Sequence, residues 1–132
     1  MVTANLKGPT NSTVLLIDDE PMVLTIGAQM LEKLGYRVLE ASSGQEAITL
    51  YQANSQHIDF VILDMIMPGF GGGETFDELK KLNPDLKFIL SSGYQRDSQA
   101  NAILQRGCDG FIQKPFRLED LARLIGDVLG RD

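Results

Sequence analysis

The 132-residue chain has one cysteine, Cys108, one histidine, His57, and no tryptophan. A lone cysteine excludes an intrachain disulfide and fits a reducing, cytoplasmic setting. One histidine and one cysteine do not make a zinc site. Positive charge is also scarce. Twelve Lys and Arg face 18 Asp and Glu, for a net charge of -6. The basic patch of a nucleic-acid-binding domain is therefore not expected. No apolar run approaches the roughly 20 residues of a membrane helix, so no membrane contact is expected. The N-terminal "MVTANLKGPTNST" lacks the apolar stretch of a signal peptide. Residues 1–12 read as a flexible leader or linker, and 13–130 as one domain large enough to bury a core.

What is present is alternation. "TVLLI" (Thr13 to Ile17) is a short apolar run of the kind that forms a buried strand. Val23, Ile26, Met30, Leu31 and Leu34 then recur at helical spacing. Pro21 suits the first turn of that helix and Gly35 its end. "YRVLEA" (Tyr36 to Ala41) predicts a second strand. Ser43 and Glu46 have the spacing of a capping box and open a second helix through Tyr51. "FVILD" (Phe60 to Asp64) predicts a third strand, followed by a helix from about Gly72 to Leu82 that Asn83-Pro84 stops. "KFILSS" is a fourth strand, with a weakly amphipathic helix from Gln95 to Arg106 behind it. "GFIQ" is a fifth strand. Leu118, Leu121, Ala122, Ile125, Val128 and Leu129 mark a last helix, with Leu124 off its main apolar stripe and available to a partner.

Five strand–helix units with near-continuous apolar strands predict an α/β fold, a doubly wound parallel sheet covered on both faces. In such sheets the site lies outside the carboxyl ends of the strands. Those ends carry Asp18, Asp19 and Glu20 after strand one, Asp64 at the end of strand three, Ser92 at the end of strand four, and Lys114 after strand five. Carboxylates brought close repel one another, so either one stays protonated or a cation binds. Mg²⁺ suits one or two carboxylates plus waters and phosphate oxygens. A carboxylate beside it can attack phosphorus and form an aspartyl phosphate, while the lysine neutralises charge on the transferring group.

"LLIDDEP", "LDMIMPG", "LSSGY" and "QKPF", in this order and at these strand ends, resemble the receiver domain of two-component response regulators. The resemblance spans about Thr13 to Leu129. It implies a flavodoxin-like (βα)5 sheet with strand order 2-1-3-4-5. It makes Asp64 the phosphoacceptor and gives Asp18 and Asp19 the role of binding Mg²⁺, with Mn²⁺ as a substitute. Ile66 takes the position whose backbone carbonyl joins the metal ligands. Ser92 matches the switch hydroxyl; the spacing back from Lys114 selects it over Ser91, which alternation turns to the opposite face. Lys114 matches the lysine that pairs with a phosphoryl oxygen, and Lys114-Pro115 matches a bond that is cis in the family. Phe111 takes the place of the switch aromatic, without the hydroxyl of a tyrosine. Ile66 and Tyr94, both large, occupy positions expected to tune the lifetime of the phosphate.

The implied partners are a histidine kinase or a histidine phosphotransfer domain, and a second receiver through the surface of the fourth helix, fifth strand and fifth helix. The motifs look most like receivers at the carboxyl end of hybrid sensor histidine kinases. No helix-turn-helix follows the last helix, so the expectation is a stand-alone receiver or one cut from a larger protein. Two other functions remain open: a Mg²⁺-dependent phosphohydrolase with an aspartyl-phosphate intermediate, and a docking module that is never phosphorylated. Blander roles are also available. One of Asp18, Asp19 and Glu20 could simply cap the first helix. Gly71, Gly72 and Gly73 read as a flexible hinge, His57 as a solvated loop residue, and Cys108 as a small core residue.

Overall fold

The structure, a computed structural model, describes residues 12–67, 71–93 and 97–130. The expectations placed on the leader, apart from Ser12, and on Tyr94 lie outside these residues. Strands and helices alternate: β1 (Thr13–Ile17), α1 (Pro21–Lys33), β2 (Arg37–Ala41), α2 (Gly44–Asn54), β3 (Ile58–Asp64), α3 (Gly72–Leu82), β4 (Lys87–Ser92), α4 (Ser98–Gln105), β5 (Gly110–Gln113) and α5 (Leu118–Leu129). The strands form one parallel sheet in the order β2-β1-β3-β4-β5.

Alternation along the strands sorts side chains into two cores. Val14, Leu16, Phe60, Ile62 and Ile89 face α1 and α5, where Leu31, Leu121 and Ile125 meet them. Leu15, Ile17, Val61, Leu63, Phe88 and Leu90 face the other side, against Ala47, Tyr51, Phe76, Leu79 and Ile103 of α2, α3 and α4. Ring edges lock both layers: Tyr36 meets Phe60 at 5.4 Å and Phe76 meets Phe88 at 4.7 Å between centroids. Each such fully buried side chain contributes about 1.5–3 kcal/mol by leaving water.

Several boundaries differ from the sequence expectation. β3 begins two residues earlier, at Ile58. Asp59 sits there as the extra residue of a bulge opposite β1, and its carboxylate accepts the Thr13 N–H at 2.8 Å. An exposed carboxylate hides a strand start from a reading based on apolar runs. α2 continues beyond Tyr51 to Asn54. Its cap is divided: Ser43 Oγ accepts from Glu46 N, but the Glu46 carboxylate reaches past Ser43 to the N–H of Ser42. α4 is shorter than expected, Ser98 to Gln105, with Asp97 as its cap.

One role expected of a single residue does not hold. Gly72 is not part of a hinge. It lies in the first turn of α3, where a Cβ would stand 2.5 Å from the Asp64 carbonyl oxygen and 2.6 Å from that of Met65. Only a residue without a side chain lets α3 start so close to the end of β3. Leu124 is half-buried. Its Cδ1 stands 3.0 Å from the place a Cβ on Gly110 would occupy, so it packs over β5 as part of the α1/α5 core. Cys108 is buried, and burial pushes its thiol up to about 11. His57 is exposed in the turn before β3.

Candidate functional site

The carboxyl edge of the sheet is built by extending its ladders one residue past the strands. Asp18 N donates to Ala41 O at 3.1 Å, Met65 N to Ser91 O at 2.8 Å, and Lys114 N to Ser92 O at 2.7 Å. These bonds tie the exit of β1 to β2 and the exits of β3 and β5 to the end of β4 between them. Asp64 pairs in register with Ser91 at the same edge. The convergence expected of Asp18, Asp19, Asp64 and Lys114 is therefore a product of parallel pairing.

Asp18 and Asp64 are buried, Asp19 half-buried, and one oxygen from each lies within 4.8 Å of the others. Lys114 Nζ donates to Asp18 Oδ2 at 3.0 Å and to Asp64 Oδ1 at 3.3 Å, with Glu20 Oε1 at 3.7 Å. One ammonium against these carboxylates leaves the cluster acidic. Burial, and then the charge of Asp18, push the Asp64 carboxyl up to about 7 against the pull of Lys114. Burial draws the Lys114 ammonium down, but its bonds to Asp18 and Asp64 outweigh this and hold it above the ordinary lysine value.

The acidic run is not a helix cap. Glu20 occupies the N-cap of α1, yet its side chain makes no capping bond. Asp18 Oδ1 instead accepts the N–H of Glu20 at 3.0 Å, a local turn that aims the other oxygen of Asp18 at Lys114. The contact between Glu20 and Lys114 had no signature in the sequence beyond adjacency to the pair.

A cleft of about 800 Å³ opens over the cluster and is lined by Asp19, Asp64, Ile66, Ser92 and Lys114. It contains Ser92 and not Ser91, whose hydroxyl turns to the Leu63 carbonyl at 3.5 Å. The side chain of Ile66 is 51% exposed at the rim. From the cluster the cleft runs along α1 past Met22 and Ile26, 73% and 47% exposed, with Pro115 and Phe116 opposite. This apolar extension was not read from the sequence, because its walls come from two elements almost a hundred residues apart. The Lys114-Pro115 bond is cis. Phe111 is half-buried against the core of α2, α3 and α4, on the same side as Leu104. No helix among the described residues is long and apolar enough to cross a membrane.

Oxygen donors from two buried and one half-buried aspartate, around a carboxyl that burial makes reluctant to ionise, suit a hard divalent cation. They do not suit a soft one.

Comparison with known proteins gives a consistent result. A family model described as the response regulator receiver domain matches residues 14–126. Sensor kinase CckA of Brucella abortus is 39% identical over 119 residues, which are 90% of this chain and 13% of CckA. Response regulator SaeR of Staphylococcus aureus is 32% identical over 89% of this chain and 50% of its own length. The chain thus spans half or less of these relatives. A receiver domain protein from Clostridium thermocellum superposes with a TM-score of 0.85 at 32% identity, covering 90% of this chain and 94% of that one.

Proposed function

The chain belongs to the response regulator receiver domain family, and from that premise we propose that Asp64 is its phosphoacceptor. The observation that carries this reading is the Lys114 ammonium held between Asp18 and Asp64 at the open edge of the sheet. Asp64, once ionised, attacks the phosphorus of a phosphohistidine on a histidine kinase or phosphotransfer domain. A P–O bond forms to Asp64 Oδ, the P–N bond breaks, and the imidazole leaves with a proton. Lys114 neutralises charge on the phosphoryl oxygens. Asp18, Asp19, Asp64 and the backbone carbonyl of Ile66 would hold Mg²⁺, or Mn²⁺ in its place. Such a cation favours the ionised form of Asp64 and offsets phosphoryl charge.

Ser92 then hydrogen-bonds the phosphoryl group, and Phe111, without a hydroxyl to keep wet, moves further into the space beside it. The surface of α4, β5 and α5 is thereby repacked for a partner or a second receiver. The apolar cleft past Met22, Ile26 and Phe116 gives the phosphodonor protein a surface beside Asp64. Ile66 and Tyr94 slow the approach of water to the acyl phosphate. The functional unit is residues 13–130, it works in the cytoplasm, and it catalyses its own modification only. The identity to a sensor kinase fits a receiver carried by a hybrid kinase.

A phosphohydrolase would use the same acidic cluster but would turn over. The two are separated by following protein phosphorylation and free phosphate together. One phosphoryl group per chain that builds up and decays slowly supports the receiver. Repeated hydrolysis of a small phosphate ester identifies a hydrolase, and no modification at all identifies a docking module.

A further inference from the structure

Arg106, at the end of α4, reaches back to α3. Its Nε donates to Asp77 Oδ1 at 3.0 Å and its Nη2 to Asp77 Oδ2 at 3.4 Å, a two-pronged pair. Nη2 also donates to the Gly73 carbonyl at 3.4 Å, and the guanidinium carbon stands 5.9 Å from the centre of the Phe76 ring. Below it, buried Ile103 closes on Gly73, 3.7 Å from where a Cβ would be. Gly73 follows Gly72, which is lodged against the carbonyls of Asp64 and Met65. The carboxyl end of α4 is therefore tied to the turn of chain that touches the backbone of Asp64 itself.

The other end of α4 begins at Asp97, five residues after Ser92. Among the described residues, the backbone of α4 packs sparsely against the other elements. It is held at its far end, and its near end starts five residues after Ser92.

We propose that the Arg106–Asp77 pair is a strap that keeps α4 in its unphosphorylated position and so sets the threshold of the switch. The proposal rests on the functional reading above. When a phosphoryl group on Asp64 draws Ser92 inward, α4, whose cap Asp97 lies five residues further on, shifts with it. The strap opposes that movement at the opposite end, because α3 cannot follow: its first turn is wedged against β3. A contact made better in one state than in the other biases the equilibrium between them. Exposed ion pairs are usually weak, equivalent to about a 1.5- to 5-fold shift in an equilibrium. The two-pronged geometry, the carbonyl and the ring place this one at the upper end.

The test titrates the whole chain with beryllofluoride in the presence of Mg²⁺, following saturation by backbone amide NMR. Arg106→Ala and Asp77→Ala are each expected to saturate at about two- to fivefold lower beryllofluoride than the wild type. The double variant should go no lower than Arg106→Ala, which already removes the Asp77 pair together with the carbonyl and ring contacts. Arg106→Lys, which has one prong, should fall between. Should an alanine variant lose its fold, Arg106→Lys and Asp77→Asn, which keep the side-chain volume, carry the comparison. Variants that titrate as the wild type, or effects that add, overturn the strap. A wild type that never saturates overturns the receiver function itself, which is a distinct failure.

Discussion

The ammonium of Lys114 lies 3.3 Å from Asp64 Oδ1, although 50 residues separate the two in the chain. It lowers the pKa of Asp64, yet burial and the charge of Asp18 win, and the carboxyl keeps its proton up to about 7. The site is thus poised: without a further cation, the nucleophile is half protonated near neutrality.

That balance has a consequence for stability. The unfolded carboxyl releases its proton near 3.8, the folded one near 7. Between these values the folded chain binds more protons. The stability this group contributes is full below about 3.8 and is lost as the pH rises through about 7. Urea unfolding in chelator at pH 5 and pH 8 should show the wild type losing stability relative to Asp64→Asn, which has no proton to release. Mg²⁺ at pH 8 should restore the wild type, since a ligand of the folded state alone stabilises it. Parallel behaviour of wild type and variant at both pH values would contradict this.

The glycines before α3 are not equivalent. A Cβ on Gly72 would overlap the carbonyls of Asp64 and Met65, whereas one on Gly71 would meet nothing within 4 Å. Gly71 also has an ordinary extended backbone. Gly72→Ala should cost about 1–3 kcal/mol, and Gly71→Ala about 0.5 kcal/mol or less. Denaturant midpoints of the two variants check this; equal costs would mean that α3 can shift away from β3.

Ile66 stands half exposed at the rim of the cleft that also holds Asp64. Ile66→Asn should therefore shorten the life of the acyl phosphate, as it opens the rim and adds a group that can hold a water. The decay of phosphorylated protein after removal of the donor measures it. A decay equal to or slower than that of the wild type would sink the idea.

The layout of the sheet was legible because parallel strands covered on both faces leave unbroken apolar runs, and because polar residues appear only where the runs end. Asp18, Asp64 and Lys114 could be placed together on that ground. Alternation puts Ser91 and Ser92 on opposite faces, and the spacing back from Lys114 picked out Ser92. What escaped depends on distances between elements. Gly72 looked like a hinge because its close contact is with β3 rather than with its neighbours. The packing of Leu124 over β5 escaped because the gap it fills belongs to Gly110. Ile26 looked like part of the core face of α1 but is 47% exposed, since helical spacing gives the stripe but not the side on which the sheet lies.

The role proposed for Asp64 is to accept a phosphoryl group. Intact-mass measurement of the protein after incubation with a small-molecule phosphodonor and Mg²⁺ tests it most directly. The expected result is a gain of one phosphoryl group, absent in Asp64→Asn and absent when chelator replaces Mg²⁺. A protein that gains nothing, or a gain that survives in Asp64→Asn, would contradict it.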